Sequence, residues 1–240
     1  MLSKNTIKHL TSLHHKKYRN EYKEFVVEGE KIVAEAIEWK KDAILKVYCL
    51  VHLADAYNSS NVAVEIVTER ELKQISSLTT PNKAIAVMHQ VSAMVETTDF
   101  YLALDGIQDP GNLGTIIRLA DWFGLRQIIC STDCVDSYNP KVVQASMGSS
   151  FRVQMHAVDL ATFLADSELP IYGALLHGTS VYTQKLERKG ILVMGNEGNG
   201  IRPELFSFIT QPLTIPRFGQ AESLNVGIAT AILLSEFSRG

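Results

Sequence analysis

From residue 101 onward, short apolar runs alternate with helical patterns, and this alternation restricts the fold more than any other feature of the chain. Residues 101–104, 127–130, 152–155, 171–175, 191–194 and 213–215 read as buried strands. Helical spacing falls at 113–123, 140–147, 160–166 and 225–237, with Gly124 placed to end the first of these helices. Strands regularly separated by helices build a mostly parallel sheet covered on both faces, an α/β architecture.

The first part of the chain has an alternation of its own. Strands are expected at 25–27, 45–51, 64–67 and 84–89, with helices at 30–39 and 69–78. That is a small α/β unit with enough apolar surface to form a core. Residues 92–99, SAMVETTD, are polar and nonperiodic and read as a linker. The expected division is therefore a small domain at 1–91 and a larger one at 100–240.

At 46% hydrophobic and 20% charged, the composition is that of an ordinary soluble globular protein. No run approaches the roughly 18 apolar residues of a membrane helix, so no membrane partner is expected. The opening MLSKNTIKHL lacks the apolar core of a signal peptide, which points to the cytoplasm. Cys49, Cys130 and Cys134 read as reduced thiols, and the last two have no second ligand pair for zinc. The net charge of −3 does not announce a nucleic-acid partner, but its distribution is uneven. Between Lys4 and Lys23 six basic residues, among them Lys16, Lys17 and Arg19, are opposed only by Glu21. Such a patch either holds phosphates or is a solvated helix face.

Small polar residues and glycines gather after three of the strands in the larger region, where open parallel sheets bind ligands. The first cluster is LALDGIQDPGNLGTIIRLADWFG, in which Asn112 precedes Arg118 by nearly two helical turns. It matches neither a dinucleotide fingerprint nor a phosphate loop. Read alone, Asn112 is equally a helix N-cap. The second is ILVMGNEGNGIRPEL, where glycines bracket Glu197 and let backbone approach a flat ligand closely, although a surface turn would also account for it. The third is LTIPRFGQAESLNVGIATAILLSEF, with Ser223 and Asn225 flanking Leu224 at the start of the last helix. Capping explains one of those two polar residues but not both.

Taken together and in this order, NLGTIIR, MGNEGNG and IPRFGQAESLNV resemble the three motifs of the SpoU-type RNA 2′-O-ribose methyltransferases of the SPOUT superfamily. The resemblance spans residue 101 to the C-terminus, and the N-terminal region is similar to the RNA substrate-binding domain often attached to these enzymes. It implies a deep trefoil knot near the C-terminus, S-adenosyl-L-methionine as cofactor, and a homodimer whose active site is completed across the interface. Carried over by position, Gly195, Ile215 and Leu224, with Leu175 nearby, are the expected cofactor contacts. Asn112, Arg118, Glu197, Ser223 and Asn225 are the expected catalytic constellation.

A sulfonium methyl is already electrophilic, so this chemistry requires no metal. A guanidinium stays charged in proteins, which makes Arg118 a poor base and a better grip on RNA phosphate and on developing oxyanion charge. Glu197 would then orient Arg118 or Asn112. Lys16, Lys17 and Arg19 become the expected RNA contacts, and ribosomal RNA is favoured over transfer RNA on the strength of the attached domain. The apolar face of the last helix, Ile228, Ile232, Leu233 and Phe237, is expected to serve the dimer as well as the core. An RNA-binding protein without turnover and a nicotinamide-dependent enzyme with an altered glycine loop are the competing readings.

Overall fold

The computed structural model describes residues 1–239. In chain order the elements are α1 (Lys4–Ser12), α2 (Lys16–Tyr22), β1 (Glu24–Glu28), α3 (Glu30–Lys40), β2 (Ile44–Cys49), α4 (Val51–Asn58), β3 (Val64–Ile66), α5 (Glu69–Ile75) and β4 (Ala84–His89). They continue with β5 (Phe100–Leu104), α6 (Pro110–Trp122), β6 (Gln127–Ser131), α7 (Pro140–Ser146), β7 (Gln154–Val158), α8 (Leu160–Ala165), β8 (Ile171–Ser180), β9 (Gly190–Met194), β10 (Gln211–Thr214) and α9 (Val226–Arg239). Two compact units result among the described residues: Met1–Ser92 with Asp136–Arg152, and Ala93–Val135 with the chain from Val153 onward.

The first unit holds a four-stranded sheet in the order β1-β4-β2-β3, parallel only between β2 and β3. Successive strand residues point to opposite faces, so adjacent apolar residues feed two cores. Val27, Val47 and Ala86 pack with Ile32, Val33 and Ala36 of α3, whereas Val26, Tyr48 and Ile85 pack with Leu10, Leu13 and Leu72. The sequence reading runs the second region unbroken from 100 to 240, but 136–152 folds into the first unit. Val143 of α7 and Phe151 join the cluster of Phe25 and Val27. Arg19 donates from Nε and Nη2 to Asp136 Oδ2 at 3.0 and 2.6 Å, and from Nη1 to the Leu13 carbonyl at 2.9 Å. An apolar helix face and a buried ion pair thus hold this segment where linear position would not have put it.

The second unit is built on a six-stranded sheet in the order β10-β8-β9-β5-β6-β7, parallel at every pairing. Strands β5, β6 and β9 are buried along their whole length, which is why they read as unbroken apolar runs. Some boundaries differ from the sequence reading. The strand expected to reach Val51 stops at Cys49, and Val51, 70% exposed, opens α4. The apolar pair Leu50-Val51 hid that turn. The strand β8 runs on through 176–180, where its mostly exposed, largely polar residues carry no hydrophobic signal. There Gly178 meets the Pro212 carbonyl of β10 so closely that an added Cβ would lie 2.6 Å from its oxygen. Among the described residues, no helix is long and apolar enough to cross a membrane.

Candidate active site

Three loops at the carboxyl ends of β5, β9 and β10 carry the candidate residues. Helix α6 starts earlier than its periodicity suggests. Pro110 is pre-set for a first turn, and Asp109, not Asn112, is the N-cap, its carboxylate accepting the Asn112 amide at 2.8 Å. The side chain of Asn112 is therefore not spent on capping. Its Nδ2 donates to Glu197 Oε1 at 2.9 Å, and its Oδ1 accepts from Asn225 Nδ2 at 2.8 Å. Asn225 does two jobs, since its Oδ1 also accepts the Gly227 and Ile228 amides at 2.9 and 3.4 Å and so caps α9. The result is one directed chain of hydrogen bonds, from Asn225 through Asn112 to the Glu197 carboxylate, joining all three loops. The small Gly227 permits it, for a Cβ there would sit 3.1 Å from Thr115 of α6.

The loop bearing Glu197 is held tightly. Asn196 and Gly200 exchange backbone hydrogen bonds at 2.9 Å each, with Gly200 at φ +70°. Gly195 can carry no side chain, because a Cβ would lie 2.1 Å from the Gly200 carbonyl carbon. Asn196 Oδ1 accepts the Gly198 and Asn199 amides, while its Nδ2 donates to the Gly106 carbonyl at 2.7 Å. Beyond the turn, Arg202 meets Asp105, a fully buried carboxylate. Its hydrogen bond to Asp105 raises the Arg202 guanidinium further above its already high range. A hydrogen bond from Ser131 lowers the neighbouring Asp133 carboxyl, and the charge of Arg202 adds to the shift.

Other expected residues stand apart from this chain. Arg118 is exposed, and among the described residues no hydrogen bond or ion pair engages it. It lies six positions from Asn112, about 120° around the helix axis at 3.6 residues per turn. It shares an exposed stripe of α6 with Gly111, Thr115 and Trp122. The structure thus pairs Glu197 with Asn112 and leaves Arg118 alone. Ser223 and Leu224 are exposed on the loop before α9, Ile215 is half-buried just past β10, and Leu175 is half-buried within β8 and not at its end. Lys16 and Lys17 are exposed on α2. Arg19 is not placed to touch RNA: it is 1% exposed and donates to Asp136 and to the Leu13 carbonyl. The long-range bonds of Asp105, Asn196 and Arg202 are not encoded by their motifs, although an acid directly after a buried strand is a signal for the first.

The profile of the SpoU rRNA Methylase family matches residues 99–235. This chain belongs to that family. It is accordingly an RNA methyltransferase dependent on S-adenosylmethionine. Residues 4–86 match the MRM3-like substrate binding domain, in keeping with the resemblance noted for the N-terminal region. The 23S rRNA (guanosine(2553)-2′-O)-methyltransferase RlmP of Bacillus subtilis is 30% identical over 234 residues, covering 95% of this chain and 94% of its own. Among solved structures, an RNA methyltransferase assigned to the TrmH family from Porphyromonas gingivalis is 41% identical. It covers 100% of this chain and 99% of its own with a TM-score of 0.90. The AdoMet-bound rRNA methyltransferase of Sinorhizobium meliloti is 29% identical, with a TM-score of 0.87 over 100% of this chain and 96% of its own.

Proposed function

We propose that this family member transfers the methyl group of S-adenosylmethionine to a ribose 2′-hydroxyl of ribosomal RNA. The observation that carries the reading is the hydrogen-bond chain Asn225–Asn112–Glu197, which draws the three motif loops into one polar site. RlmP and the Sinorhizobium enzyme are both named for ribosomal RNA, which favours that substrate over transfer RNA. The cytoplasm, where such RNA resides in bacteria, is the matching compartment.

The residues present suit the cofactor. Gly195 brings bare backbone to the end of β9, while the half-buried Ile215 and the 48% exposed Leu224 leave apolar surface outside the core, and Leu175, packed against the core, keeps one side half-exposed. When bound, S-adenosylmethionine would supply an electrophilic methyl and a neutral thioether leaving group, so the protein must align the ribose oxygen, raise its nucleophilicity and let the hydroxyl proton pass to phosphate or water. In this reading Glu197 polarises Asn112, whose amide orients the ribose hydroxyl together with Asn225 and Ser223. Arg118, which no other described residue engages by hydrogen bond or ion pair, holds the adjoining phosphate and stabilises charge developing on the 2′-oxygen.

Two further properties of the family are carried over in the same spirit. A trefoil knot near the C-terminus rests on membership of the family alone. An experimental structure with an unthreaded chain there would remove it. A homodimer is supported by the outward stripe of α6, where Trp122 is 84% exposed beside Arg118, and by Ile228 at 55% on α9. Of the α9 residues expected to serve the dimer, Leu233 and Phe237 are buried in the core, Phe237 against Phe100 and Tyr172. Sedimentation at micromolar concentration should give a dimer, and an active monomer would exclude it.

The functional reading is tested by mapping 2′-O-methylation in RNA from cells lacking the protein. One ribosomal RNA position should lose its methyl group. Loss confined to transfer RNA, or no loss at all, would overturn the substrate assignment.

A further inference from the structure

We propose that Asp105 and Arg202 are positioning residues that clamp the glycine-rich loop 195–202 onto the end of β5 and thereby place Glu197 against Asn112. Asp105 is the first residue past β5, and its amide continues the β5–β9 pairing by donating to the Met194 carbonyl at 2.8 Å. Among the described residues, its fully buried carboxylate takes hydrogen bonds from Arg202 alone. Oδ1 receives Arg202 Nε and Nη2, each at 2.6 Å, and Oδ2 receives the Arg202 backbone amide at 2.8 Å. The adjoining Gly106 carbonyl receives Asn196 Nδ2 at 2.7 Å. The loop is therefore pinned at both ends, at Asn196 and at Arg202, to the dipeptide Asp105-Gly106, and Glu197 is suspended between the pins.

The pedestal is itself fixed from the other side. Ser131 Oγ accepts the Gly106 amide at 2.8 Å, and Cys134 Sγ accepts that of Ile107 at 3.3 Å. From the same pedestal the chain runs directly to Asp109, whose cap sets the first turn of α6 and hence Asn112. One short stretch after β5 thus registers both halves of the Asn112–Glu197 hydrogen bond. A surface ion pair would tolerate either partner's loss, but this carboxylate has no water to turn to, so breaking the pair leaves a buried group uncompensated. An asparagine at 105 would moreover present NH2 to donors on one of its two sides.

The proposal rests on the reading of Glu197 and Asn112 as the active site, so its first readout involves no methyl transfer. In the full-length protein, amide hydrogen exchange of residues 196–202 should quicken at least about tenfold in Asp105→Asn and in Arg202→Gln. Exchange in β9 and α9 should stay as in the parent. Asn196→Ala removes the other pin, the bond to the Gly106 carbonyl, without stranding a buried charge, and keeps the experiment decisive if the ion-pair variants fail to fold. By calorimetry, S-adenosylhomocysteine should bind roughly tenfold more weakly to each variant. The double variant should be no worse than the weaker single one, because contacting partners do not contribute additively. With ribosomal RNA from cells lacking the protein as substrate, kcat should fall by a similar factor while KM for RNA holds. Unchanged loop exchange, or exchange that rises evenly through the whole unit, would overturn the clamp. Failure of the methylation reading alone would leave the exchange result standing.

Discussion

At the scale of single residues, residue type in a fixed order marks candidates, and geometry decides which of them meet. Asn112, Glu197 and Asn225 were marked by their motifs, and the structure brings these three into one hydrogen-bonded chain. What the sequence could not supply is which long-range partner each side chain takes. Glu197 was expected to orient either Arg118 or Asn112, and only its bond to Asn112 is made. Arg19 shows the same limit. Charge clustering placed it with Lys16 and Lys17, yet its partner Asp136 lies far along the chain and draws it into the core. The freedom of Arg118 gives the sharpest residue-level prediction. Arg118→Ala should lower turnover by about a hundredfold or more, the scale of losing one transition-state donor. Affinity for S-adenosylhomocysteine should barely change. Arg118→Lys should recover little, because a point charge does not replace a fork of donors. Near-normal methyl transfer in Arg118→Ala would remove this residue from the reaction.

At the scale of elements, buried parallel strands announced themselves, and the mixed edges did not. The strands β5, β6 and β9 were found because both faces are covered, whereas the exposed half of β8 is defined by its pairing with β10 and not by its own composition. The early start of α6 was visible in principle as Asp109-Pro110, but glycine at 111 and 114 weakened the helical pattern there. Capping also supplies a pH prediction. In the capping box of α5, Glu71 accepts the Thr68 amide at 2.9 Å, and that bond, with another from the Leu2 amide, lowers its carboxyl from 4.5 to about 2. A depressed folded-state pKa stabilises above the unfolded value and is lost as pH falls toward the folded one. The difference in thermal midpoint between the parent and Glu71→Gln should therefore be greatest above pH 4.5 and shrink steadily toward pH 2. A difference independent of pH would show that the carboxylate charge is not what holds the cap.

At the scale of the whole molecule, the α/β class and the parallel sheet followed from alternation alone, whereas the return of 136–152 to the first unit did not. That return depends on Val143, Phe151 and Asp136 finding partners in the N-terminal unit, which no local pattern encodes. The exposed lysines of α2 should act through charge. Replacing Lys16 and Lys17 by alanine should weaken RNA binding and flatten its dependence on salt, by a slope of about 0.7 to 0.9 for each phosphate no longer neutralised. An unchanged salt slope would assign those lysines to solvent. Methyl transfer to a ribose oxygen is measured with purified protein, S-adenosylmethionine carrying a labelled methyl group, and ribosomal RNA from cells lacking the protein. After nuclease digestion the label should appear in a single 2′-O-methylated nucleotide, and Asn112→Ala should abolish it. Label found on a base, or no label transferred by the intact protein, would contradict the account.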